Sequence, residues 1–314
     1  MDKTAIVVDA SCDLPKSFID EHGIQIIPIY FNHNGTELVD SRQVKITTEF
    51  YRTNKLNEDG IRAKITTAEN IIKIFKEKLI PNFDNVLIIT SHEKRSSINH
   101  LLRETTFNNK DKFSDWRLEH GLSEKFKIKI VDSGSILSGH GLLVFETIRL
   151  LTEKATPLDN IHKPIELLKP KIQTLIVVDD IQPIRDSKTL IKTTDGKSNK
   201  VSWMKHQVGK VLDTKPIIKC ENGEYIAISN QKGFRNAANK LYELVLSDIK
   251  SGLERPIINI SYAGNLAELK TDQLYKNFIG QINSYRIKAL ICMMSITGSQ
   301  SVGKNAISIS YIKK

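Results

Sequence analysis

The sequence predicts an α/β protein in which parallel strands alternate with helices. Short runs rich in valine and isoleucine recur along the chain, and amphipathic segments separate most of them. The length of 314 residues, 40% of them hydrophobic, suffices for the core of one large domain or two ordinary ones. Because the carboxyl ends of parallel strands meet at one edge of a sheet, the loops after the strands are the expected ligand site.

Each predicted strand is a short apolar run, which is typical of strands buried on both faces. In chain order the predicted strands are residues 5–8, 24–30, 86–90, 126–131, 175–178, 257–261 and 289–293. Three segments instead repeat apolar residues with the period of a helix, namely 70–79, 139–151 and 236–247. Two polar stretches, 108–125 and 186–199, are expected to be long surface loops.

A domain boundary is predicted beside Pro157. The stretch 153–157 follows the second predicted helix and precedes another proline-containing segment, a composition that favours a boundary. We therefore divide the chain into an N-terminal domain, residues 1–155, and a C-terminal domain, residues 156–314.

The charge of the chain is positive but dispersed. Lys and Arg total 46 against 36 Asp and Glu, a formal net charge of +10. Lysines far outnumber arginines and are scattered, whereas base readout favours clustered arginines, so no nucleic-acid partner is expected. The charge could support a transient contact with an anionic membrane, although solvated lysine faces are the more ordinary interpretation.

The cysteines and the start of the chain indicate a cytoplasmic protein. Cys12, Cys220 and Cys292 are far apart and form no Cys-x-x-Cys pair, so neither a disulfide framework nor a zinc site is predicted. The first residues lack the long apolar region of a signal peptide. The apolar runs are much shorter than the roughly 20 residues that cross a bilayer.

The sequence contains no catalytic signature that we can identify. A P-loop, a dinucleotide-binding glycine motif, a nucleophile elbow and a two-histidine zinc spacing are all missing. The eight histidines are scattered and none follows His206, so the C-terminal third cannot supply an imidazole base. An enzyme of another type would need an acid–base pair that the sequence does not reveal. We expect a protein that is not an enzyme and that needs no metal or cofactor.

Small polar residues, serines and aspartates, follow three of the predicted strands. Asp9 and Ser11 follow the first strand, Ser91 follows the third, and Asp132 and Ser133 follow the fourth. At the ligand-binding edge of an α/β sheet, such residues suit the capture of an anion or a carboxylate. The alternative is that each cluster caps the next helix by accepting its free N–H groups.

Taken in order, these clusters resemble the DegV family of fatty-acid-binding proteins. The similarity begins with VVDASCDLP at 7–15 and continues with IIPI at 26–29, VD at 39–40 and EFY at 49–51. Its later pieces are IVDS at 130–133, SGHGLLV at 138–144, and GKVLDTKPII at 209–218 followed by ENG at 221–223. Each piece is short, but their order and spacing cover nearly the whole chain.

The resemblance implies a two-domain DegV-like fold. The N-terminal domain would contain a parallel sheet, the C-terminal domain a mixed sheet, and a tunnel between them would hold one long-chain fatty acid. Members of the family present this ligand to a separate fatty acid kinase. An acyl chain of about 16 carbons offers on the order of 10 kcal/mol of burial energy before binding costs. The carboxylate needs hydrogen-bond donors, because an unpaired buried charge is very costly.

The resemblance also implies two head-group loops in the N-terminal domain. The family's Thr-Ser-Gln segment falls on 66–68, which keeps hydroxyls at Thr66 and Thr67. Its Ser-Gly-Thr turn falls on Arg95, Ser96 and Ser97, so Arg95 replaces the serine unless a one-residue gap moves Ser96 there. Arg95 could hold a carboxylate with two bonds, favour a phosphate or a shorter anion, or be an exposed residue at a helix start.

The C-terminal motifs depart further from the family pattern. The family's His-Thr-Gly-Pro-Gly falls on 299–303, so Ser299 replaces the histidine. Ser299 or Gln300 can still donate to an anion, although a polar turn is also ordinary loop chemistry. The family's Gly-Gly-Arg turn keeps only a cation, Lys200, as the expected contact with the kinase. Asp9, Ser11, Asp132 and Ser133 would support the head-group loops.

These departures leave a second function open. A diverged relative could bind another small anionic or lipid ligand, because Arg95 and Ser299 change the head-group chemistry. A nucleic-acid-binding function, driven by the positive charge alone, would weaken steeply with salt. The fatty-acid carrier explains the absence of catalytic motifs and the order of the family motifs together, and we favour it.

Overall fold

The computed structural model of the protein describes residues 3–33, 36–53, 62–64, 66–186, 191–193, 213–221 and 223–314. Its strands are β1 Thr4–Asp9, β2 Gln25–Ile27, β3 Ile29–His33, β4 Thr36–Asp40, β5 Arg62–Lys64, β6 Asn85–Thr90, β7 Lys127–Asp132, β8 Ile172–Val177, β9 Ile191–Thr193, β10 Thr214–Glu221, β11 Glu224–Lys232, β12 Leu253–Tyr262, β13 Lys288–Met293 and β14 Ile307–Lys313. They form three sheets.

The helices are α1 Lys16–Glu21, α2 Val44–Arg52, α3 Ala68–Ile74, α4 Ile98–Asn108, α5 Lys110–Glu119, α6 Leu137–Thr152, α7 His162–Leu168, α8 Gln182–Asp186, α9 Phe234–Ser251, α10 Leu266–Thr271, α11 Gln273–Ser284 and α12 Ile296–Val302. Helix α3 continues as a π-helical turn, Phe75–Leu79, and short 3-10 turns occur at Leu158–Asn160 and Lys169–Lys171. None of the helices in the described residues combines the length and the hydropathy that a membrane span requires.

The first sheet contains four parallel strands in the order β2-β1-β6-β7. Strand β6 is buried along its whole length, as a continuous apolar run requires of a strand covered on both faces. The parallel strands of the first sheet end at the same edge. The last residues of β1, β6 and β7 there are Asp9, Thr90 and Asp132, respectively. The predicted parallel pairing of the N-terminal half is confirmed.

Pro28 separates the first sheet from a small antiparallel sheet. The sequence predicts one strand over 24–30, but the structure contains two, because β2 ends at Ile27 and β3 begins at Ile29. Proline has no N–H to donate to a sheet and therefore favours a strand boundary. After Pro28 the chain leaves the first sheet, and β3 pairs with β4 and β5 instead.

The third sheet is mixed and contains seven strands in the order β13-β12-β14-β8-β10-β11-β9. Strands β12 and β13 are parallel, β11 and β9 are parallel, and the other neighbours are antiparallel. Strands β10 and β11 form a hairpin. The hairpin and the C-terminal strand β14 are additions to the predicted strands. The expected mixed sheet of the C-terminal half is confirmed.

Helix α5 corrects the predicted loop at 108–125. Phe113 of this helix is buried and stacks on Phe75 with ring centroids 4.8 Å apart. The buried Arg117 donates to the backbone oxygens of Phe83 and Ser123. These contacts fix the segment as a packed helix rather than an extended surface loop.

Helix α6 lies directly on the mixed sheet, although it precedes the predicted domain boundary. It packs against β8, β12 and β14, and glycines allow this close approach. A Cβ atom at Gly139 would lie 2.3 Å from the Thr174 hydroxyl of β8, and one at Gly141 would lie 2.7 Å from the Asn259 amide nitrogen of β12 and 2.0 Å from the backbone oxygen of Asp13, in the loop after β1. The sheets themselves fall on either side of residue 155, and the division into domains 1–155 and 156–314 stays a prediction.

One apolar cluster contains residues from the small antiparallel sheet and the mixed sheet, and the partly buried Ile26 of β2 packs against it. We call it the central apolar cluster. Its buried members are Ala10, Ile29, Phe31, Phe50, Tyr51, Ile136, Leu137, Ile176, Val178, Ile184, Ile218, Cys220, Tyr225, Ala263, Met294, Ile296, Val302 and Ala306. The architecture is the predicted α/β class, with its apolar interior shared between the parallel and the mixed sheets.

Candidate functional site

Asp9 ties two loops together at the carboxyl edge of the first sheet. One oxygen of its buried carboxylate accepts hydrogen bonds from the backbone N–H and the hydroxyl of Ser11. The other oxygen accepts from the backbone N–H of Ser91 at 2.7 Å. Asp9 and Ser11 therefore hold the loop after β1 against the loop after β6.

Asp132 and Ser133 shape the neighbouring loop. Asp132 accepts from the backbone N–H of Gly134 at 2.9 Å. The fully buried Ser133 hydroxyl donates to the backbone oxygen of Ser135 at 3.0 Å and accepts from the N–H of the same residue at 3.2 Å. None of these side chains caps α1, α4 or α6, so within the described chain they brace the loops instead.

The adjacent hydroxyls of Thr66 and Thr67 have different surroundings. Thr67 is the N-cap of α3, and its Oγ1 accepts from the backbone N–H of Asn70 at 3.3 Å. Thr66 is 2% exposed, and its Oγ1 has no hydrogen-bond partner among the described residues. A buried hydroxyl without a partner costs about 1–3 kcal/mol. As far as the described residues go, the Thr66 hydroxyl is thus a donor that a ligand oxygen could satisfy.

Arg95 connects its loop to the β10–β11 hairpin. Its Nε donates to the backbone oxygen of Gly223 at 2.5 Å, and its guanidinium lies 4.4 Å from the ring centroid of Tyr225. Ser96 accepts from the backbone N–H of Ile98 at 3.3 Å, and the exposed Ser97 is the N-cap residue of α4. Of these three predicted contacts, Arg95 is the one that reaches the central apolar cluster, through Tyr225.

Ser299 and Gln300 lie on the short helix α12. The fully buried Ser299 hydroxyl donates to the backbone oxygen of Ile296 at 2.9 Å. Burial raises the pKa of the Tyr51 phenol, and a hydrogen bond with the Ser299 side chain partly opposes that rise. The buried Nε2 of Gln300 has no hydrogen-bond partner within the described ranges. This helix also contacts the central apolar cluster, through Ile296 and Val302.

A buried charged cluster beside α12 was missed by the sequence analysis. One guanidinium nitrogen of Arg42 lies 3.3 Å from a carboxylate oxygen of Asp13. The Asp40 carboxylate accepts a hydrogen bond from the backbone N–H of Thr297. Two signals were available, because Asp13 and Asp40 both lie inside the family motifs. Lys200, the predicted kinase contact, lies outside the described residues.

A surface groove of about 460 Å³ lies elsewhere, between α9 and α11, and contains none of the predicted site residues. Among the described residues, no group of three or more His, Cys, Asp or Glu side chains is arranged to hold a metal ion. Of the predicted head-group residues, Arg95 reaches the central apolar cluster through Tyr225, and Ser299 and Gln300 lie on the helix that carries Ile296 and Val302 of that cluster.

The sequence model of the DegV family, described as "Uncharacterised protein, DegV family", matches residues 3–314. The chain belongs to the DegV family. A DegV domain-containing protein from Xanthomonas axonopodis pv. citri is 27% identical over 311 residues, which are 98% of this chain and 97% of that relative. Another from Staphylococcus aureus is 22% identical over 316 residues, the full length of both chains.

Solved structures of other DegV proteins share this fold. A stearic-acid-binding protein from Eubacterium ventriosum superposes with a TM-score of 0.77 at 16% identity, covering 100% of this chain and 99% of its own. A DegV lipid-binding protein from Thermotoga maritima has a TM-score of 0.75 at 16% identity, covering 99% and 98%. The fold of this DegV chain, with its parallel and mixed sheets, is thus that of known lipid-binding structures.

Proposed function

We propose that this DegV chain binds one long-chain fatty acid without altering it chemically. The observation that carries the proposal is the buried Oγ1 of Thr66, which has no hydrogen-bond partner among the described residues and belongs to the threonine where the family resemblance expects a carboxylate contact. Similar structures were solved with stearic acid, heptadecanoic acid and vaccenic acid bound, which supports this ligand class.

The head group would be held by donors from both ends of the chain. Thr66 and Gln300 each offer a buried donor that has no partner in the described structure. Arg95 would add positive charge, while its contacts with the β10–β11 hairpin hold it in place. A carboxylate that accepts two or three such bonds recovers much of its lost hydration. Thr67, Ser96, Ser97 and Ser299 complete the proposed head-group set.

The acyl chain would extend into the central apolar cluster. The cluster combines residues of β3, β8 and β10 with the start of α12, so one linear ligand could contact the small sheet, the mixed sheet and this helix. Each buried methylene contributes about 0.8 kcal/mol, which favours a long chain over a short one. Fixation of the ligand and the reordering of side chains oppose binding.

We further propose that the bound acid is presented to a separate kinase in the cytoplasm. The absence of a recognised catalytic motif supports a carrier rather than an enzyme. Lys200 is the proposed kinase contact, and the net charge of +10 would assist a transient encounter with an anionic membrane. Loss of kinase activity toward the bound acid in a Lys200→Ala variant that still binds the acid would support this role.

The proposal is tested first by the content of the purified protein. The protein is denatured, extracted with solvent and analysed by mass spectrometry beside an unrelated protein purified identically. We expect a fatty acid at close to one molecule per chain, enriched over the control. An empty protein, or a stoichiometric ligand without an acyl chain, would refute the carrier function.

Arg95 favours a second candidate, a diverged protein that binds another small anionic or lipid ligand. Its guanidinium stands where the family resemblance expects a neutral serine, and it could pair with a doubly charged phosphate. The extraction experiment distinguishes the two, because this candidate requires a non-acyl or phosphorylated ligand. An Arg95→Ala variant should then lose that ligand, whereas Arg95→Lys should retain part of it.

A further inference from the structure

We infer that Asp13, Asp40 and Arg42 form a polar clamp that positions helix α12, and with it Ser299 and Gln300, against the ligand head group. The inference rests on the proposed function, since it assigns positioning residues to the same site. These three side chains contact the backbone of residues 293–297, which lead directly into α12.

Arg42 joins two parts of the chain that are far apart in sequence. One of its terminal nitrogens donates to the backbone oxygen of Leu14 at 3.3 Å and to that of Met293 at 3.0 Å. The residue is only 7% exposed and has a left-handed backbone conformation, with φ of 60°. A residue other than glycine rarely adopts this conformation, so its surroundings must stabilise it.

The two carboxylates hold the backbone on either side of Ile296. Asp13 accepts from the N–H of Ser295 at 2.8 Å, and Asp40 accepts from both the N–H and the hydroxyl of Thr297 at 2.8 Å. The Tyr51 hydroxyl adds a bond to the backbone oxygen of Met294 at 3.0 Å. The beginning of α12 is therefore fixed by side chains from the N-terminal half.

The charged side chains of the clamp are better suited to orient residues 293–297 than merely to hold them against the N-terminal half. Burial raises the pKa of Asp13 and Asp40, and the Arg42 guanidinium opposes that rise. Apolar side chains could join the same elements without the desolvation of three charged groups. Charge-assisted bonds to backbone N–H groups instead set the direction of the segment that they hold.

Helix α12 depends on this anchoring because it has only seven residues. The Ser295 hydroxyl caps it by accepting from the N–H of Gly298 at 2.9 Å, and the Asp40 carboxylate lies at its N-terminal end. Ser299 and Gln300 follow within the next turn. A small rotation of the segment would move both side chains, and binding groups tolerate little displacement before affinity falls.

The test compares Asp40→Ala and Asp40→Asn with wild type and with Arg52→Ala, a control that removes an exposed charge from α2. Hydrogen exchange reports the protection of residues 295–299. Titration gives Kd for a long-chain fatty acid and for the fatty alcohol of equal length. We expect Asp40→Ala to exchange faster there and to bind the acid about tenfold more weakly, with less than about a twofold change for the alcohol. The amide oxygen of Asn should restore part of both properties.

An unchanged acid-to-alcohol affinity ratio in Asp40→Ala would overturn the clamp, as would unchanged exchange at residues 295–299. A purely structural role would weaken acid and alcohol binding equally and would also overturn it. If Asp40→Ala fails to fold, Thr297→Val takes its place in the comparison. This substitution removes the hydroxyl that donates to the Asp40 carboxylate. If wild type binds neither ligand, the proposed function fails, and the exchange measurement alone decides whether the clamp orders α12.

Discussion

Thr66 and Thr67 provide a test of the head-group site at the scale of single residues. Removal of the Thr66 hydroxyl deletes a donor that has no partner in the described part of the chain, so Thr66→Ala should weaken binding of a long-chain fatty acid about tenfold with little loss of stability. Thr67→Ala is the comparison variant, because it removes the α3 cap and should lower the free energy of unfolding by about 1 kcal/mol while it weakens binding less than Thr66→Ala does.

Both threonine variants are measured by ligand titration and by urea unfolding of the ligand-free protein. Thr66→Ser should keep the affinity, because it retains the donor. Equal affinities for wild type and Thr66→Ala would remove Thr66 from the site.

Arg95 provides a second prediction at the residue scale. Its bond to Gly223 and its contact with Tyr225 hold the β10–β11 hairpin against the first sheet. We expect Arg95→Ala to accelerate hydrogen exchange at residues 223–226 and to change the spectrum of co-purified ligands. Arg103→Ala, which removes an arginine from nearby α4, serves as the control. Unchanged exchange at the hairpin would contradict the bridging role.

The sequence was informative about residues whose role depends on nearby residues. A polar cluster after an apolar run can be located from its neighbours, and Asp9 lies at the end of β1 as expected, whereas Thr67 was predicted as a carboxylate contact and is found as the α3 cap. Arg95 could not be placed in the same way, because its hairpin partners lie about 130 residues further along the chain. The Asp13–Arg42 pair has the same difficulty, since it depends on a left-handed backbone at Arg42.

At the scale of secondary-structure elements, the buried strands were predicted well and α5 was not. Runs such as β6 are apolar on both faces, so their composition alone identifies them. Helix α5 buries Phe113 and Arg117, which are one helical turn apart. A charged residue on the buried face hides the apolar period on which the prediction depends. The guanidinium is compatible with burial because two backbone oxygens accept hydrogen bonds from it. They belong to Ser123, in the loop after α5, and to Phe83, just before β6.

The glycines of α6 give a prediction at this scale. A methyl group at Gly141 would lie 2.0 Å from the Asp13 backbone oxygen, in the loop after β1, and 2.7 Å from the amide nitrogen of Asn259 in β12, so Gly141→Ala should push α6 away from both and destabilise the protein by on the order of 3 kcal/mol. Gly280→Ala in α11 is the matched control. Its methyl group would contact nothing within 4 Å, and it should stabilise the protein by about 0.5–1 kcal/mol.

The two glycine variants are compared by urea unfolding monitored by circular dichroism. If Gly141→Ala stabilised the protein as much as Gly280→Ala does, close packing would not explain the glycine in α6.

At the scale of the whole molecule, the central apolar cluster links the stability of both halves to the ligand. It includes Phe31 from the small sheet, Ile176 and Ile218 from the mixed sheet, and Ile136 from the loop before α6. An acyl chain among these residues would add apolar contacts on every side. A ligand present at 100 times its Kd stabilises the native state by about 2.7 kcal/mol. Removal of the ligand should therefore loosen both halves together.

The three cysteines allow this coupling to be measured. All three are buried, and burial raises the pKa of Cys220 to about 12 and also raises the pKa values of Cys12 and Cys292. Because the thiolate is the reactive form, we expect almost no alkylation by iodoacetamide at pH 7.5 while the ligand is bound. After the ligand is extracted under native conditions, Cys220 should react first, since it is the cysteine in the central apolar cluster.

Peptide mass spectrometry over a time course gives the alkylation rate of each cysteine, and protein unfolded in guanidinium chloride provides the fully reactive reference. Added fatty acid should return Cys220 to its protected state in wild type and do so less effectively in Thr66→Ala. If the alkylation rate of Cys220 were the same with and without the ligand, or if Cys12 reacted first, the ligand would lie outside the central apolar cluster. Protection of Cys220 by the acid would instead tie the head-group residues and the shared apolar interior to one binding event.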